Sequence, residues 1–264
     1  MTCFIVLLIS FFATVSQADK DLPQPIRLYA FHRPPYYTFD GAAPDGFLLD
    51  ISKNVLDKAK LSYQILEMPP QRIIEHFKST TERACSPGWF RSPEREEFAL
   101  FTDPIYVNAP MGVALRVETL PQLPARLTVK ELLHSGLTLG VKAGFSYGGA
   151  LDSLLKGFKD RAYSSTIDNE QFLMMIAKRR IDYAFMEPEE YSWLVKKNPE
   201  LASSLLFLTP LDAPPGQERR LMCTKALEGE MNKLNEALRS VPASERRKRL
   251  IEEQIPRAFP PEGQ

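Results

Sequence analysis

From position 26 onward, short runs of consecutive apolar residues alternate with stretches in which apolar side chains return every three or four positions. The first rhythm marks buried strands and the second marks amphipathic helices. Ile26 to Phe31 reads as a strand ending before His32-Arg33-Pro34-Pro35, and a helix follows from about Gly46, with Leu48, Ile51, Val55, Leu56 and Ala59 on one face. Tyr63 to Glu67 is a second strand. Pro69-Pro70 then introduces a helix carrying Ile73, Ile74 and Phe77, since proline fits the first helical turn, where an N–H has no partner to lose. Arg83 to Ser86 is a short third strand, broken by Pro87-Gly88. Strand and helix in strict alternation are the grammar of an α/β fold, a mainly parallel sheet covered by helices.

Ile105 to Arg116 departs from this rhythm, being β-rich with no helix after it for about a dozen residues. A second alternating set opens at Thr128, which forms a capping box with Glu131 ahead of Leu132 and Leu133. Leu137 to Val141 is its first strand, and Lys142 to Ser146 turns into a helix from Tyr147. Asp168 and Gln171 make another capping box, Ile181 to Met186 is an apolar strand, and Glu187-Pro188 opens the next helix. Leu205 to Leu208 and Arg219 to Thr224 are strands separated by the connector Asp212 to Gly216, and helices follow over about Leu227–Arg239 and Ala243–Gln254. Two alternating sets, with crossings near Tyr106–Leu115 and Thr209–Arg219, predict two lobes and two hinge segments.

Ahead of these elements, Cys3 to Val15 is an apolar run of 13 residues containing only Ser10 and Thr14 as polar members, followed by Ser16-Gln17-Ala18. Spanning a bilayer takes about 20 residues, so the run reads as the core of a secretory leader cleaved after Ala18. No Lys or Arg precedes it, which keeps a membrane anchor as the alternative. Removal of 18 of the 264 residues leaves 246, enough for one large core or two medium ones. Lys plus Arg and Asp plus Glu balance at 33 each, and the cluster Arg246-Arg247-Lys248-Arg249 sits among glutamates in a helical pattern, so nucleic acid is not an expected partner. Cys85 and Cys223 remain after the leader is removed; in an oxidising compartment a lone pair forms one bridge, with two buried free thiols as the alternative. His32, His76 and His134 have no ligand spacing, so no metal and no cofactor is expected.

Five landmarks occur in order: Arg33-Pro34-Pro35-Tyr36; Gly46-Phe47-Leu48-Leu49-Asp50-Ile51; Arg91-Ser92-Pro93-Glu94-Arg95; Phe101-Thr102-Asp103-Pro104-Ile105-Tyr106; and Arg180 to Pro188. In this order and spacing they resemble the bacterial extracellular solute-binding proteins of family 3, the polar amino-acid-binding type, over essentially the whole mature chain. The resemblance implies a periplasmic, type II two-lobed fold, with lobe one built from residues 22–107 and 212–264 and lobe two from 108–211. It also places Cys85 and Cys223 in one lobe, closing a loop between positions 138 apart.

By the same resemblance, Arg95 matches the arginine that grips a ligand carboxylate, a role suited to the planar two-point fork of a guanidinium. The plainer reading pairs it with Glu94, Glu96 or Glu97. Glu187 matches the acid that meets a ligand ammonium, or else simply complements a helix dipole. Ser146, with the amides of Phe145 and Tyr147, matches the lobe-two loop that donates to the carboxylate, where Gly144, Gly148 and Gly149 would admit close backbone approach. Family members carry an acid and a stacking aromatic in the first strand-to-helix loop, and here Ala30 and Arg33 stand at those positions. Small polar residues before the arginine motif are replaced by Pro87, Gly88, Trp89 and Phe90, whose rings stack on a ligand or pack under the loop. Tyr36 and Phe47 read as core.

Capture of a small polar, carboxylate-bearing solute by a monomer, for delivery to an ABC-type transporter, is the function this resemblance implies. It needs no reacting side chain, and no nucleophile motif is evident. Two alternatives are a cyclohexadienyl dehydratase-like enzyme on the same scaffold, using Glu187 as general acid, and a ligand-sensing partner of a membrane receptor.

Overall fold

In the computed structural model, which describes residues 24–143, 145–158 and 161–242, the two alternating sets become two sheets. The expected leader, Gly144, the expected helix at 243–254 and the tail after it lie outside the described residues.

The first sheet contains β1 (Ile26–Ala30), β2 (Tyr63–Glu67), β3 (Ala84–Trp89), β4 (Ala99–Phe101), β5 (Tyr106–Val107) and β11 (Glu218–Thr224). Its order is β2-β1-β3-β11-β4, with β5 also pairing β11. The second contains β6 (Gly112–Arg116), β7 (Leu139–Lys142), β8 (Tyr163–Ser165), β9 (Tyr183–Met186) and β10 (Leu205–Leu208), in the order β10-β6-β9-β7-β8. The chain leaves the first sheet after β5 and returns to it at β11.

Both sheets are mixed, which corrects the expectation of mainly parallel ones. β1 lies parallel to β2 and β3, but β11 runs antiparallel to β3, β4 and β5. In the second sheet β7 lies parallel to β8 and β9, whereas β6 runs antiparallel to β9 and β10. The antiparallel strands β6 and β11 are those entered from the crossings, where a connector from the other lobe replaces the right-handed helical crossover that makes neighbours parallel.

Alternation along β1 explains the layering of lobe one. Ile26, Leu28 and Ala30 face a core shared with α1 (Phe47–Lys58) and α9 (Met231–Ser240), while Tyr29 faces the opposite core with Ile73 and Phe77 of α2 (Pro70–Ser79). Lobe two repeats the plan. Val113, Leu115, Tyr183 and Phe185 pack beneath α4 (Val129–Leu133) and α5 (Gly149–Leu155). Ala114, Ala184 and Met186 pack on the other face with α6 (Asn169–Ala177), α7 (Pro188–Lys197) and α8 (Pro199–Ser204). The α4 capping box is complete in both directions, and the Asp168 side chain accepts from the Gln171 amide at α6.

β3 is not broken at Pro87-Gly88 but runs through to Trp89. A register shift on β11 between Arg220 and Met222 absorbs the irregularity, and the Pro87 carbonyl is satisfied by the Tyr37 hydroxyl at 2.8 Å. The helix expected from Leu227 begins regularly only at Met231, because Leu227 turns fully into the core in a 310 segment. α5 likewise starts at Gly149 rather than Tyr147. Short elements with too few residues to declare a period were not foreseen: α3 (Pro93–Glu96), β4, β8 and α8.

Cys85 and Cys223 are register partners on β3 and β11 and form a disulfide, 138 residues apart in sequence. The two connectors also touch each other. Asn108 donates its amide to the Gln217 carbonyl at 3.0 Å, and a side chain at Gly216 would fall 1.5 Å from the Asn108 carbonyl oxygen, so only glycine allows that approach. Among the described residues no helix is long and apolar enough to cross a membrane.

Candidate functional site

β9 delivers the chain to the N-terminal turn of α7 at the boundary between the lobes, where Glu187, Glu189 and Glu190 are all buried. Free amides and the helix dipole favour negative charge there, but three buried carboxylates need partners. The partners come from lobe one and from the crossing.

Glu190 is held by the Arg33 guanidinium through two bonds, Nε to Oε1 and Nη2 to Oε2, each 2.8 Å. The same Nη2 lies 3.7 Å from Glu187 Oε1. Glu187 accepts from the Tyr36 hydroxyl and from Arg219 Nη2. Arg219 completes its fork by donating to Asn108 Oδ1 and to the Gly88 carbonyl, each at 2.7 Å. Glu189 accepts from the Tyr106 hydroxyl at 2.5 Å and from the Ala109 amide at 3.4 Å, and its Oε2 is buried with no hydrogen-bond partner among the described residues.

Rings interleave with these cations. The Arg33 guanidinium lies 4.8 Å from the Phe145 ring centre and 5.1 Å from that of Tyr36; Arg219 lies 4.9 Å from Tyr36 and 4.8 Å from Phe90. Phe145 belongs to lobe two and Phe90 to lobe one, so this alternation of three rings and two guanidiniums crosses the boundary. Such contacts strengthen when water is excluded.

Neighbouring carboxylates titrate in opposite directions. Burial alone would raise the Glu187 pKa, but Arg219 and Arg33 outweigh it and hold the group below the ordinary carboxylate value. Glu189 is pushed upward by burial and by the negative charge of Glu187. Burial also opposes charge on Arg33, yet Glu190 and Glu187 more than offset this and raise its pKa. Lys142 is lowered by burial and by the nearby Arg33.

The ion pair between Arg33 and Glu190 stands between two spaces. On its inner side, among Met111, Gly140, Phe172, Phe185 and Met186, about 10 Å³ remains, barely the room of one water. On its outer side a recess of about 180 Å³ opens among His32, Asp40, Asp168, Trp193 and Lys197.

Of the residues singled out in the sequence, Arg33, Glu187, Phe145, Phe90 and Gly88 meet at this seam. Gly88 has φ +80, and a side chain there would strike the Tyr37 hydroxyl at 1.9 Å. Trp89 is turned along its own strand, donating Nε1 to Ser86 at 2.7 Å. Arg95 lies over the Trp89 ring and donates to the Phe90 carbonyl at 2.7 Å; it borders an open hollow with Ile74, Lys78 and Phe98 rather than the seam. Ser146 and the Tyr147 amide both engage the Asp152 carboxylate, and the Tyr147 hydroxyl accepts from the Lys142 amide. That loop is thus tied to the Asp152 side chain of α5.

Arg219, Glu190, Glu189, Tyr106 and Asn108 were not foreseen as site residues, and Tyr36, read as core, is fully buried yet aims its hydroxyl at Glu187. A signal existed for three of them, Glu189, Glu190 and Arg219: three acids at one helix start after an all-apolar strand, and an arginine near the start of another strand, are charges the fold must place somewhere.

The family model described as bacterial extracellular solute-binding proteins, family 3, matches residues 29–255. No curated protein sequence matches the chain. Among solved structures, the chain is similar to the periplasmic VFT2 domain of BvgS from Bordetella pertussis, with 21% identity, a TM-score of 0.66, and coverage of 85% of this chain and 91% of that one. A histidine kinase sensor domain with similarity to periplasmic binding proteins aligns at 14% identity and TM-score 0.70, over 88% of this chain and 98% of the other. The arginine-, lysine-, histidine-binding protein ArtJ of Geobacillus stearothermophilus aligns at 17% identity and TM-score 0.69, over 89% and 97%. At these identities the likeness speaks for the fold.

Proposed function

This chain belongs to the bacterial extracellular solute-binding proteins of family 3, and from that premise we propose that it is exported to the periplasm, acts as a monomer, and captures a small polar, carboxylate-bearing solute between its lobes for an ABC-type transporter. The lobes divide at 107/108 and 211/212, and the short connectors there serve as hinges. One observation carries the reading: lobe one brings Arg33 and Arg219 to the seam, and lobe two brings Glu187 and Glu190. An amino-acid-like zwitterion has the charges to bridge both sets, its carboxylate replacing glutamate on an arginine and its ammonium replacing arginine on a glutamate. Arg95 lies outside this seam, at the Phe90 carbonyl, and its share in holding the carboxylate is the part of the proposal that rests on the family resemblance alone.

The dehydratase alternative asks Glu187 to carry a proton as general acid, whereas Arg219 and Arg33 favour its ionised form. That supports capture over catalysis. A second reading, presentation of the closed form to a membrane receptor, is favoured by the direct ion pairs between lobes, since they allow closure to be a signal in itself.

Thermal melts against amino acids, amidines, polyamines and aromatic acids test capture. A ligand raises Tm by the amount that RT ln(1 + [L]/Kd) dictates, and the same ligand binds Arg95→Ala more weakly if Arg95 shares the carboxylate. A panel that moves no melt ends the capture reading; an unchanged Kd in Arg95→Ala removes Arg95 from the site.

A further inference from the structure

We propose that the lobe-two pocket formed by Glu190, Glu187 and Phe145 is a binding site for a guanidinium-type cation, and that Arg33 of lobe one is its tethered occupant, holding the cleft closed without a solute. The inference rests on the two-lobed capture reading and assigns its site a second, intramolecular ligand.

The geometry is that of ligand recognition rather than of surface pairing. Both Glu190 oxygens meet the Arg33 fork at 2.8 Å, the two-point match that a guanidinium makes and an ammonium cannot. Glu187 stands 3.7 Å from the same nitrogen, and the Phe145 ring lies 4.8 Å from the guanidinium carbon. Carboxylate in the plane and aromatic on the face are the two contacts that a free planar cation seeks. Only 10% of the Arg33 side chain and 3% of the Glu190 side chain remain exposed. Every one of these receiving groups belongs to lobe two, while Arg33 is carried by lobe one on the loop after β1.

Position reinforces the assignment. Arg33, Glu190 and Lys142 line both the 10 Å³ inner space and the 180 Å³ outer recess, so Arg33 is the bolt between them. A solute entering from the recess meets Arg33 first. An amidine or guanidine group can take over its contacts one for one, and the freed Arg33 then offers its own fork to a carboxylate on the same solute. Lys142, near the Phe145 ring at 6.0 Å, is already crowded by Arg33 and gains from its departure.

Small-angle scattering and thermal melts on Arg33→Ala, compared with the wild-type chain, test this. Wild type is expected to be compact and indifferent to low-millimolar ethylguanidinium. Arg33→Ala is expected to have a larger radius of gyration, and ethylguanidinium should restore compaction and raise Tm. Ethylammonium should need a concentration about tenfold higher, a ratio equivalent to about 1.4 kcal/mol. The double variant Arg33→Ala with Glu190→Gln should lose the rescue. If Arg33→Ala does not fold, Arg33→Lys carries the test, because it keeps one charge and loses the fork: it should open partially and close with ethylguanidinium. An Arg33 variant as compact as wild type, or one that responds equally to both cations, overturns the proposal. The two readings fail separately. A solute that binds wild type while the Arg33 variants show no rescue refutes the tethered cation alone, and rescue in a chain that binds no solute refutes capture alone.

Discussion

The interior of lobe one and the seam between the lobes are both buried, yet they are built from opposite materials. Between β1, β3, β11 and their helices lie Ile26, Leu28, Leu48, Val55, Leu56, Leu221 and Leu234, all fully buried, with a disulfide crossing the sheet. Between the lobes lie Arg33, Arg219, Glu187, Glu189, Glu190 and three aromatic rings. Apolar contacts are non-directional and have no better alternative in water. Ion pairs do: each charge at the seam exchanges a protein partner for water, or for a charged guest, at a net cost far smaller than its gross interaction. Under the capture proposed above, the region that stays shut is made of the first material and the region that opens is made of the second.

The comparison can be broken first at its strongest point. Replacing Cys85 and Cys223 together by alanine should lower unfolding free energy by up to about 5 kcal/mol, the chain-entropy value for a loop of this size, and urea denaturation of both forms measures it. A loss confined to the seam, with lobe one unaffected, would contradict the assignment of the bridge to the static core.

Glu187→Gln comes next. It leaves the Arg219 guanidinium, 4% exposed, without its carboxylate, and about 3 kcal/mol of stability should go at neutral pH. The folded pKa of Glu187 lies below its ordinary 4.5, so the wild-type advantage is fully present above that value and disappears as pH falls through the depressed one. Urea midpoints taken stepwise from pH 7 downward should therefore converge for the two proteins. Parallel curves at every pH would show that Glu187 is not held ionised.

The smallest effect has the opposite sign. Glu189, two positions along the same turn, has its folded pKa raised above 4.5. Once pH exceeds that ordinary value the unfolded chain has released a proton that the native state still binds, and stability falls with rising pH. Glu189→Gln, which cannot ionise, should be more stable than wild type at neutral pH by on the order of 1 kcal/mol, with the gain vanishing below pH 4.5. A destabilised Glu189→Gln would mean that its carboxylate serves Tyr106 and Ala109 better than this balance allows.

Much of the fold is legible because burial writes itself as period. The strand at β9, the helix face of α1 and the capping box at Thr128 each follow from side chains that touch their own neighbours. What escaped has no local signature. β4 and β8 are three residues long, and the direction of β11 is set by where the connector re-enters. The site divides in the same way. Glu187 and Arg33 are conspicuous in sequence because they stand beside a strand end and a proline pair. Arg219 is visible only as a charge opening a strand, and its partner lies 32 positions away. Tyr36 reads as core from its apolar ring, and its full burial agrees, but a hydroxyl reaching a carboxylate 151 positions distant is a fact of tertiary structure. Arg95, prominent as a motif, sits at the Trp89 ring instead.

The bridge between β3 and β11 also changes what a cut would do. Because it ties positions 85 and 223, a single protease nick anywhere in lobe two, or in either connector, yields two polypeptides that still travel as one molecule until a reductant is added. Lobe two is in effect an arc of a covalent ring, and it can be severed once without being lost.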